Sequence, residues 1–137
     1  MATRHTTTRS TTALNQLVAT ETQRRRRGHQ FYPNAGTWSR MPRTHDDGIA
    51  GADACVVAHY FGGPMDLWVT GMDDDGLVYG FVCMAHMPES AAWGLSSAPE
   101  LEAINDRGLV IIERDLYWSP TRAGDIQEIV ATGGAFS

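Results

Sequence analysis

The chain has 137 residues, of which 42% are hydrophobic, a length that corresponds to one domain of ordinary size. No apolar stretch approaches the ~20 residues that a membrane-spanning helix requires, and two cysteines are too few for the disulfide framework of a small secreted protein. Residues 1–45 carry eight arginines and one glutamate, whereas residues 46–137 carry three arginines and 15 acidic residues. Such asymmetry is typical of a basic arm that binds nucleic acid or an acidic partner, or of an arm that docks on its own acidic domain.

The first 50 residues are predicted to form an arginine- and threonine-rich arm that is disordered or loosely docked. Five of residues 6–12 are threonine, and apolar side chains are sparse throughout the segment. No apolar region typical of a secretory signal follows the start of the chain, so the sequence predicts a cytoplasmic protein. The α+β domain is expected at residues 51–130, followed by a frayed C-terminus at 131–137.

Within this arm, the apolar spacing predicts one short helix. Leu14, Leu17 and Val18 recur at positions i, i+3 and i+4, which places them on one face of a helix over residues 11–24. Gly28 is expected to stop the helical run. The connection up to residue 50 is interrupted by prolines and glycines and is expected to be irregular. Three aromatic residues are expected to pin it to the domain: Phe31, Tyr32 and Trp38.

Four consecutive arginines stand at the end of the predicted helix: Arg24, Arg25, Arg26 and Arg27. Guanidinium groups contact phosphates, and the aromatic residues that follow are of the kind that stacks on bases. This run is therefore the candidate nucleic-acid-binding site. Its footprint is small, and the acidic remainder of the chain would oppose DNA everywhere except at the arm.

The remainder of the chain predicts a small antiparallel sheet. Strands are expected at residues 55–61, 66–70, 77–84, around Trp93, and at 109–118. Short turns rich in glycine, proline and aspartate favour neighbouring strands that run in opposite directions. Ser97 is expected to cap a short helix, and a weaker helix follows Pro120. The predicted fold class is α+β, with about five antiparallel strands and one or two short helices packed on the sheet.

The strand at residues 77–84 is apolar on both faces and is therefore predicted to be central and covered on both sides. Its interior glycine, Gly80, indicates either a bulge or a side chain packed over it, for which Trp68 is the candidate. Residues 73–76, Asp-Asp-Asp-Gly, end in the dipeptide Asp-Gly, which is typical of a hairpin turn. Their carboxylates could also bind Ca²⁺, but no ligand series follows at EF-hand spacing, so a solvated turn is the better interpretation.

Several short motifs between residues 55 and 120 occur in a recognisable order. They are Tyr60-Phe61, residues 66–70, 73–76 and 77–82, Trp93-Gly94, residues 98–101 and residues 112–118. This order resembles that of a family of small bacterial, plasmid and phage proteins catalogued as domain of unknown function 2958, and the ending Glu-Arg-Asp-Leu-Tyr-Trp is its most specific part. The chain departs from the family at the approach to the helix, residues 95–101, and in its arginine-rich arm. The resemblance implies a mobile-element setting among DNA-processing and anti-restriction genes, and it implies no catalytic residues.

Two cysteine–histidine pairs have ligand types that suit zinc, but their spacing argues against a site. Cys55 and His59 would lie ~13 Å apart on a strand, whereas Cys83 and His86 could meet at a strand end. Buried free thiols are the expected state of both cysteines, with a disulfide between neighbouring strands as the alternative. No metal site, cofactor or catalytic residue is predicted.

The second candidate interaction site is the charged triplet Glu113, Arg114 and Asp115. Alternation along a strand would place the two carboxylates on one face and the guanidinium on the other. The triplet predicts one of two roles. It is either a structural ion pair that fixes the last strand, with Arg114 bound to a carboxylate of the predicted helix after Ser97, or a surface cluster that contacts a partner. Acid–base catalysis would require two converging carboxylates or a nearby histidine, which the sequence does not supply here.

The sequence favours a non-enzymatic accessory protein of a phage or plasmid that acts by binding in the host cytoplasm. In the first interpretation, the arginine run binds DNA or RNA while the acidic domain recruits a host protein. In the second, the acidic surface mimics DNA and inhibits a host nucleic-acid enzyme or defence system. A small metal-binding or hydrolytic domain is the third.

Overall fold

The structure of the protein, a computed structural model, describes residues 9–134. In this part of the chain the α-helices are α1 (Thr12–Ala19), α2 (Arg24–Arg27), α3 (Ala35–Arg40), α4 (Ala98–Glu102) and α5 (Gln127–Ala131). The strands are β1 (Cys55–Val56), β2 (Ala58–Gly62), β3 (Met65–Met72), β4 (Leu77–Met84), β5 (Ala92–Ser97), β6 (Glu113–Arg114) and β7 (Thr121–Arg122). Short 3₁₀ helices lie at Pro88–Ser90 and Ala123–Asp125. The predicted α+β class with a five-stranded antiparallel sheet is confirmed, and β1 and β7 add a small two-stranded sheet.

The main sheet has the strand order β5-β4-β3-β2-β6, and all its neighbouring pairs are antiparallel. Strands β2 to β5 are neighbours in the order of the chain, because short turns join each of them to the next. The turn between β3 and β4 is the predicted one, and its Gly76 adopts a φ of 89° that favours glycine. At the start of α4, the Ser97 side chain accepts a hydrogen bond from the Glu100 N–H, as predicted for a helix cap.

The sheet is covered on both faces, as predicted for β4. The first core lies between the sheet, α1, α3 and α4, and its buried residues include Leu14, Leu17, Trp38, Leu67, Val69 and Val78. The second core lies under the C-terminal segment and contains Val56, Trp68, Phe81, Ala123, Ile126 and Ile129. Strand β4 contributes Val78 to one core and Phe81 to the other, because successive side chains of a strand alternate between its faces.

Residues 9–50 are packed on the sheet, which corrects the expectation of a disordered or loosely docked arm. Phe31, Tyr32 and Trp38 pin this segment as predicted, and all three are almost inaccessible to solvent. The Tyr60 hydroxyl donates a hydrogen bond to the Phe31 carbonyl at 2.7 Å from within the core. The low apolar content of this segment led to the wrong prediction, because a few large side chains, each fully buried, are sufficient to hold the segment on the sheet. The threonine-rich residues 1–8 and the last residues 135–137 lie outside the described part of the chain.

The predicted last strand, residues 109–118, is mostly irregular. Of these residues, only the two that form β6 join the sheet, where they pair with Tyr60 and Phe61 of β2. The chain turns at Arg107 and Gly108, which have φ of 57° and 72°. The apolar run that follows this turn forms no strand. It lies beside Gly62 and Gly63, and its first residue, Leu109, is 85% exposed.

Gly80 lies opposite a bulge in β3. The register between β3 and β4 shifts between Val69 and Gly71, and a Cβ atom on Gly80 would collide with the main-chain carbonyl of Trp68. Of the two alternatives predicted for Gly80, the structure therefore shows the bulge. The close neighbour is the main chain of Trp68 and not its indole.

Candidate nucleic-acid interface

The four consecutive arginines form α2, a one-turn helix on the surface beside α4. This helix is separate from α1, although the sequence predicted a single helix, and Gly28 ends it with a φ of 81°. Arg24, Arg25 and Arg26 are exposed, whereas Arg27 is buried. The run therefore has three arginines that solvent can reach and one that it cannot.

Arg27 anchors α2 to the domain. Its Nε donates a hydrogen bond to the Ile112 carbonyl at 2.8 Å. Its Nη1 lies 3.2 Å from the Glu102 carboxylate, and its Nη2 donates to the Glu102 carbonyl at 3.1 Å. The guanidinium also lies 4.8 Å from the centre of the Phe31 ring and 3.7 Å from the carboxylate of Glu21. Arg27 is therefore not available to a ligand and is not part of the candidate binding site.

Glu102 supplies the N-terminal cap that α2 lacks in its own sequence. The Gln23 side chain, at the N-cap position, makes no capping hydrogen bond. Instead the Glu102 carboxylate accepts hydrogen bonds from the N–H of Thr22 at 2.9 Å and of Gln23 at 2.8 Å. Burial by itself raises the pKa of this carboxyl, but the hydrogen bonds from Thr22, Gln23 and Arg27 outweigh it, so the pKa lies below its ordinary value. The ionised carboxylate joins α4 to the start of α2, where helices favour negative charge.

The loop after α4 brings a fourth exposed guanidinium to the same surface. Arg26 donates a hydrogen bond from Nη2 to the Gly108 carbonyl at 3.3 Å, and the adjacent Arg107 side chain is 89% exposed. An open depression between α2 and this loop is lined by Thr22, Gln23, Arg25, Arg26 and Asn105. We refer to Arg24, Arg25, Arg26 and Arg107 as the arginine patch.

The carboxylates near the arginine patch leave its centre positive. Arg24 lies 4.0 Å from Glu21, and Arg107 lies 4.0 Å from Asp106. Within residues 9–134, no carboxylate oxygen is that close to a guanidinium nitrogen of Arg25 or Arg26. These two side chains are therefore the ones best placed to contact an anionic ligand.

The charged triplet at β6 lies beside two histidines. Glu113 lies 3.3 Å from Nε2 of His29, and Asp115 lies 3.0 Å from Nδ1 of His59. Arg114 donates from Nε to the main-chain carbonyl of Gln30 at 3.1 Å, and not to a carboxylate of α4. The acidic residue of α4 that is buried, Glu102, is already occupied by Arg27. Each member of the triplet thus contacts another segment of the same chain.

His59 is held between two carboxylates, an arrangement that sequence reasoning missed. Its Nε2 lies 2.8 Å from Asp66, at the end of the ring opposite to Asp115. The imidazole stacks on Trp68 with ring centres 5.2 Å apart. The register of β2 and β3 places His59 opposite Trp68 and hence diagonal to Asp66, so a correct hairpin register would have predicted this contact.

The contacts of His59 fit a structural role. Both ring nitrogens are occupied, so neither is available to a substrate. The two carboxylates lie at opposite ends of the ring and cannot bind one metal ion together with it. Within the part of the chain that the structure describes, no group of three histidine, cysteine or acidic side chains is arranged to hold a metal. The cluster joins β2, β3 and the segment after β6.

The aspartates of the turn between β3 and β4 bind the N-terminal segment and are not simply solvated. Asp74 accepts hydrogen bonds from Arg9 at 2.9 Å and from Arg43 at 2.8 Å, and these contacts lower its pKa. Asp73 accepts hydrogen bonds from the N–H and hydroxyl of Thr44, which lower its pKa against the opposing effect of burial. Part of the acidic charge of the domain is therefore neutralised by arginines of the same chain.

Both cysteines are free thiols. Cys83 is half-buried, and burial followed by the charge of Asp66 raises its pKa. Cys55 is exposed, contrary to the expected burial. The reason is the alternation of β1, in which Val56 points into the second core and its neighbour points out.

No protein-family model matches the chain, and comparison with curated proteins and with solved structures found no match. Within residues 9–134, no helix has the length and apolar character needed to cross a membrane. The resemblance to domain of unknown function 2958 stays a prediction.

Proposed function

We propose that this protein binds nucleic acid through the arginine patch and acts without catalysis, as an accessory protein of a phage or plasmid in the host cytoplasm. One observation carries the binding proposal: Arg27 holds α2 in place, while Arg24, Arg25 and Arg26 are exposed on the same helical turn. The mobile-element setting rests on the family resemblance alone.

The chemistry of the patch suits the phosphate backbone more than particular bases. Its guanidinium groups project from one helical turn and an adjacent loop. Arginines arranged in this way contact phosphates and release bound counterions, which makes the binding sensitive to salt. For about four contacts to a single strand, the affinity is expected to fall about 50-fold between roughly 50 and 200 mM salt.

The alternative, in which the acidic surface mimics DNA, has weaker support. A mimic needs a run of unpaired carboxylates, and the densest acidic run of the chain is the turn at residues 73–76. Its Asp73 and Asp74 bind Thr44, Arg9 and Arg43. The charge of this turn is therefore already partly balanced within the molecule.

The test is fluorescence anisotropy with labelled single-stranded DNA, single-stranded RNA and duplex DNA, at several salt concentrations. Arg25→Gln should weaken binding and lower the slope of log K against log salt by about 0.7 for a single strand. The control is Arg40→Gln, which removes the same charge from an exposed position on α3. The proposal fails if no probe binds at low salt, or if the two variants weaken binding equally.

A further inference from the structure

The strand β5 forms an open edge of the main sheet. Among the strands of residues 9–134 it stands last in the order of the sheet and pairs only with β4. Ala98 N donates to the Gly76 carbonyl at 2.9 Å and so continues this ladder. Alternate residues of an antiparallel strand form hydrogen bonds to the same neighbour. Since Ala98 bonds towards β4, the N–H and C=O groups of Trp93 and Leu95 point away from β4, and so does the N–H of Ser97. In the described part of the chain, no other segment bonds to these groups.

β5 has none of four features that commonly keep an edge strand from pairing with another chain. Natural proteins protect such edges with charges, prolines, bulges or very short strands. β5 has six residues, and its register with β4 has no irregularity. Residues 91–99 contain no charged side chain. At the centre of the strand, Leu95 is 59% exposed.

We propose that two copies of this chain associate through β5, antiparallel about a two-fold axis at Leu95. The two five-stranded sheets then form one continuous sheet. Leu95 lies opposite Leu95 of the second copy and forms a pair of main-chain hydrogen bonds with it. On each side of this pair, the Trp93 carbonyl of one copy accepts a hydrogen bond from the Ser97 N–H of the other. About four main-chain hydrogen bonds join the copies, two from the central pair and one from each flanking pair.

The second copy suits this edge because of the charge and size of the residues that would meet. The chain has a net charge of −5, so copies that approach each other repel except where the surface is uncharged, as it is along β5. The two Leu95 side chains lie on the same face of the joined sheet and cover each other. On the opposite face, the small residues Ala92, Gly94 and Ser96 leave room for the neighbouring strand.

The strand is also held in the conformation that pairing requires. The Trp93 ring stacks on Tyr79 with ring centres 6.0 Å apart, and its indole N–H donates to the Gly134 carbonyl at 2.8 Å. Little conformational entropy is therefore lost on association. Because the contact consists of a single six-residue strand from each copy, we expect a weak dimer that dissociates on dilution.

The test is the molar mass in solution, measured by sedimentation equilibrium from about 10 µM to about 1 mM, the range in which weak complexes form. The wild-type mass should rise towards twice that of the monomer. Leu95→Lys places two like charges on the axis and should keep the protein monomeric. The matched control is Leu109→Lys, which adds the same charge at an exposed position outside the sheet and should leave the association unchanged.

Two further measurements keep the result independent of folding defects. Leu95→Pro removes the outward N–H while the ladder to β4 stays intact, as edge strands allow, and it should also be monomeric. Hydrogen exchange at the Leu95 amide of the wild type should slow as the concentration rises. A wild-type protein that stays monomeric up to about 1 mM would overturn the proposal. A dimer would equally overturn it if its Leu95 amide remained unprotected, because another surface would then be the interface.

Discussion

Replacing Arg27 by methionine tests whether the arginine run is anchored from within. The side chain of Arg27 is inaccessible to solvent, and that of its partner Glu102 is 3% exposed. Methionine retains an apolar side chain of similar length but removes the guanidinium that lies over the Phe31 ring. The Glu102 carboxylate then stays buried with only the N–H groups of Thr22 and Gln23 and the Thr22 hydroxyl as donors, and the Ile112 carbonyl loses its donor.

The expected loss of unfolding free energy in Arg27→Met is large for a single substitution. Removing one partner of a buried ion pair costs about 3–5 kcal/mol. We expect the lower end, about 3 kcal/mol, because the hydrogen bonds from Thr22 and Gln23 still hold the Glu102 charge. In a chain of 137 residues, that corresponds to a fall in Tm of about 10 °C. Arg26→Met is the matched control, and it should cost less than about 0.5 kcal/mol because the side chain is exposed.

Urea unfolding followed by tryptophan fluorescence measures both variants under the same conditions. The double variant Arg27→Met with Glu102→Gln should be less destabilised than the sum of the single variants, because it removes both buried charges together. If Arg27→Met destabilises the protein no more than Arg26→Met does, the pair does not anchor α2, and the argument for the orientation of the arginine patch is refuted.

Three other predictions concern the stability of the fold. The pKa of Glu102 lies below its ordinary value, so the ionised carboxylate stabilises the fold above about pH 4.5, where the carboxyl of the unfolded chain is also ionised. This contribution is lost as the pH falls through the lower pKa of the folded state. When the free energy of unfolding is measured against pH, it should therefore fall less steeply in acid for Glu102→Gln than for the wild type. Gly80→Ala should cost about 1–3 kcal/mol in urea unfolding, because its methyl group would meet the main chain of β3. Its cross-strand partner Gly94 has open space around it, so Gly94→Ala should be close to neutral, and equal effects of the two variants would contradict the bulge argument. His59→Phe keeps the aromatic stacking but leaves two half-buried carboxylates without their partner, and thermal unfolding should show a loss of about 1–3 kcal/mol; an unchanged Tm would show that the cluster does not stabilise the sheet.

The parts of the fold that could be predicted from the sequence depend on signals a few residues long. The turn before β4 ends in Asp75-Gly76, and the cap of α4 is a serine three residues before a glutamate. Both were predicted correctly, because turn and cap geometry depends on neighbouring residues. The coverage of β4 on both faces was also correct, since an apolar pattern on both sides of a strand requires it.

The parts that could not be predicted depend on contacts across the chain. The apolar run at residues 109–112 has the composition of a strand, but it follows a turn at Arg107 and Gly108 and lies beside Gly62 and Gly63 without forming a strand. The N-terminal segment was expected to be loosely docked even though its aromatic residues were predicted anchors. It is firmly packed because the sheet provides a face that buries those side chains, and the composition of the segment itself does not reveal that face.

The candidate site was located only in part. The sequence singled out four arginines, and three of them are exposed. The fourth is buried through Glu102, a residue 75 positions away in the chain, and nothing in the local sequence distinguishes Arg27 from Arg26. Arg107 joined the patch because α2 packs beside the loop after α4, as the contact of Arg26 with Gly108 shows.

The sequence by itself determined the α+β class, the hairpin between β3 and β4, the cap of α4 and the concentration of basic charge at residues 24–27, because spacing, turn chemistry and composition are local properties. Only the tertiary structure decided which arginine is an anchor, which carboxylates are neutralised, and that β5 is left as the open edge. These properties depend on which distant segments meet, and the free energy of burying a charge or pairing a strand is set by those partners.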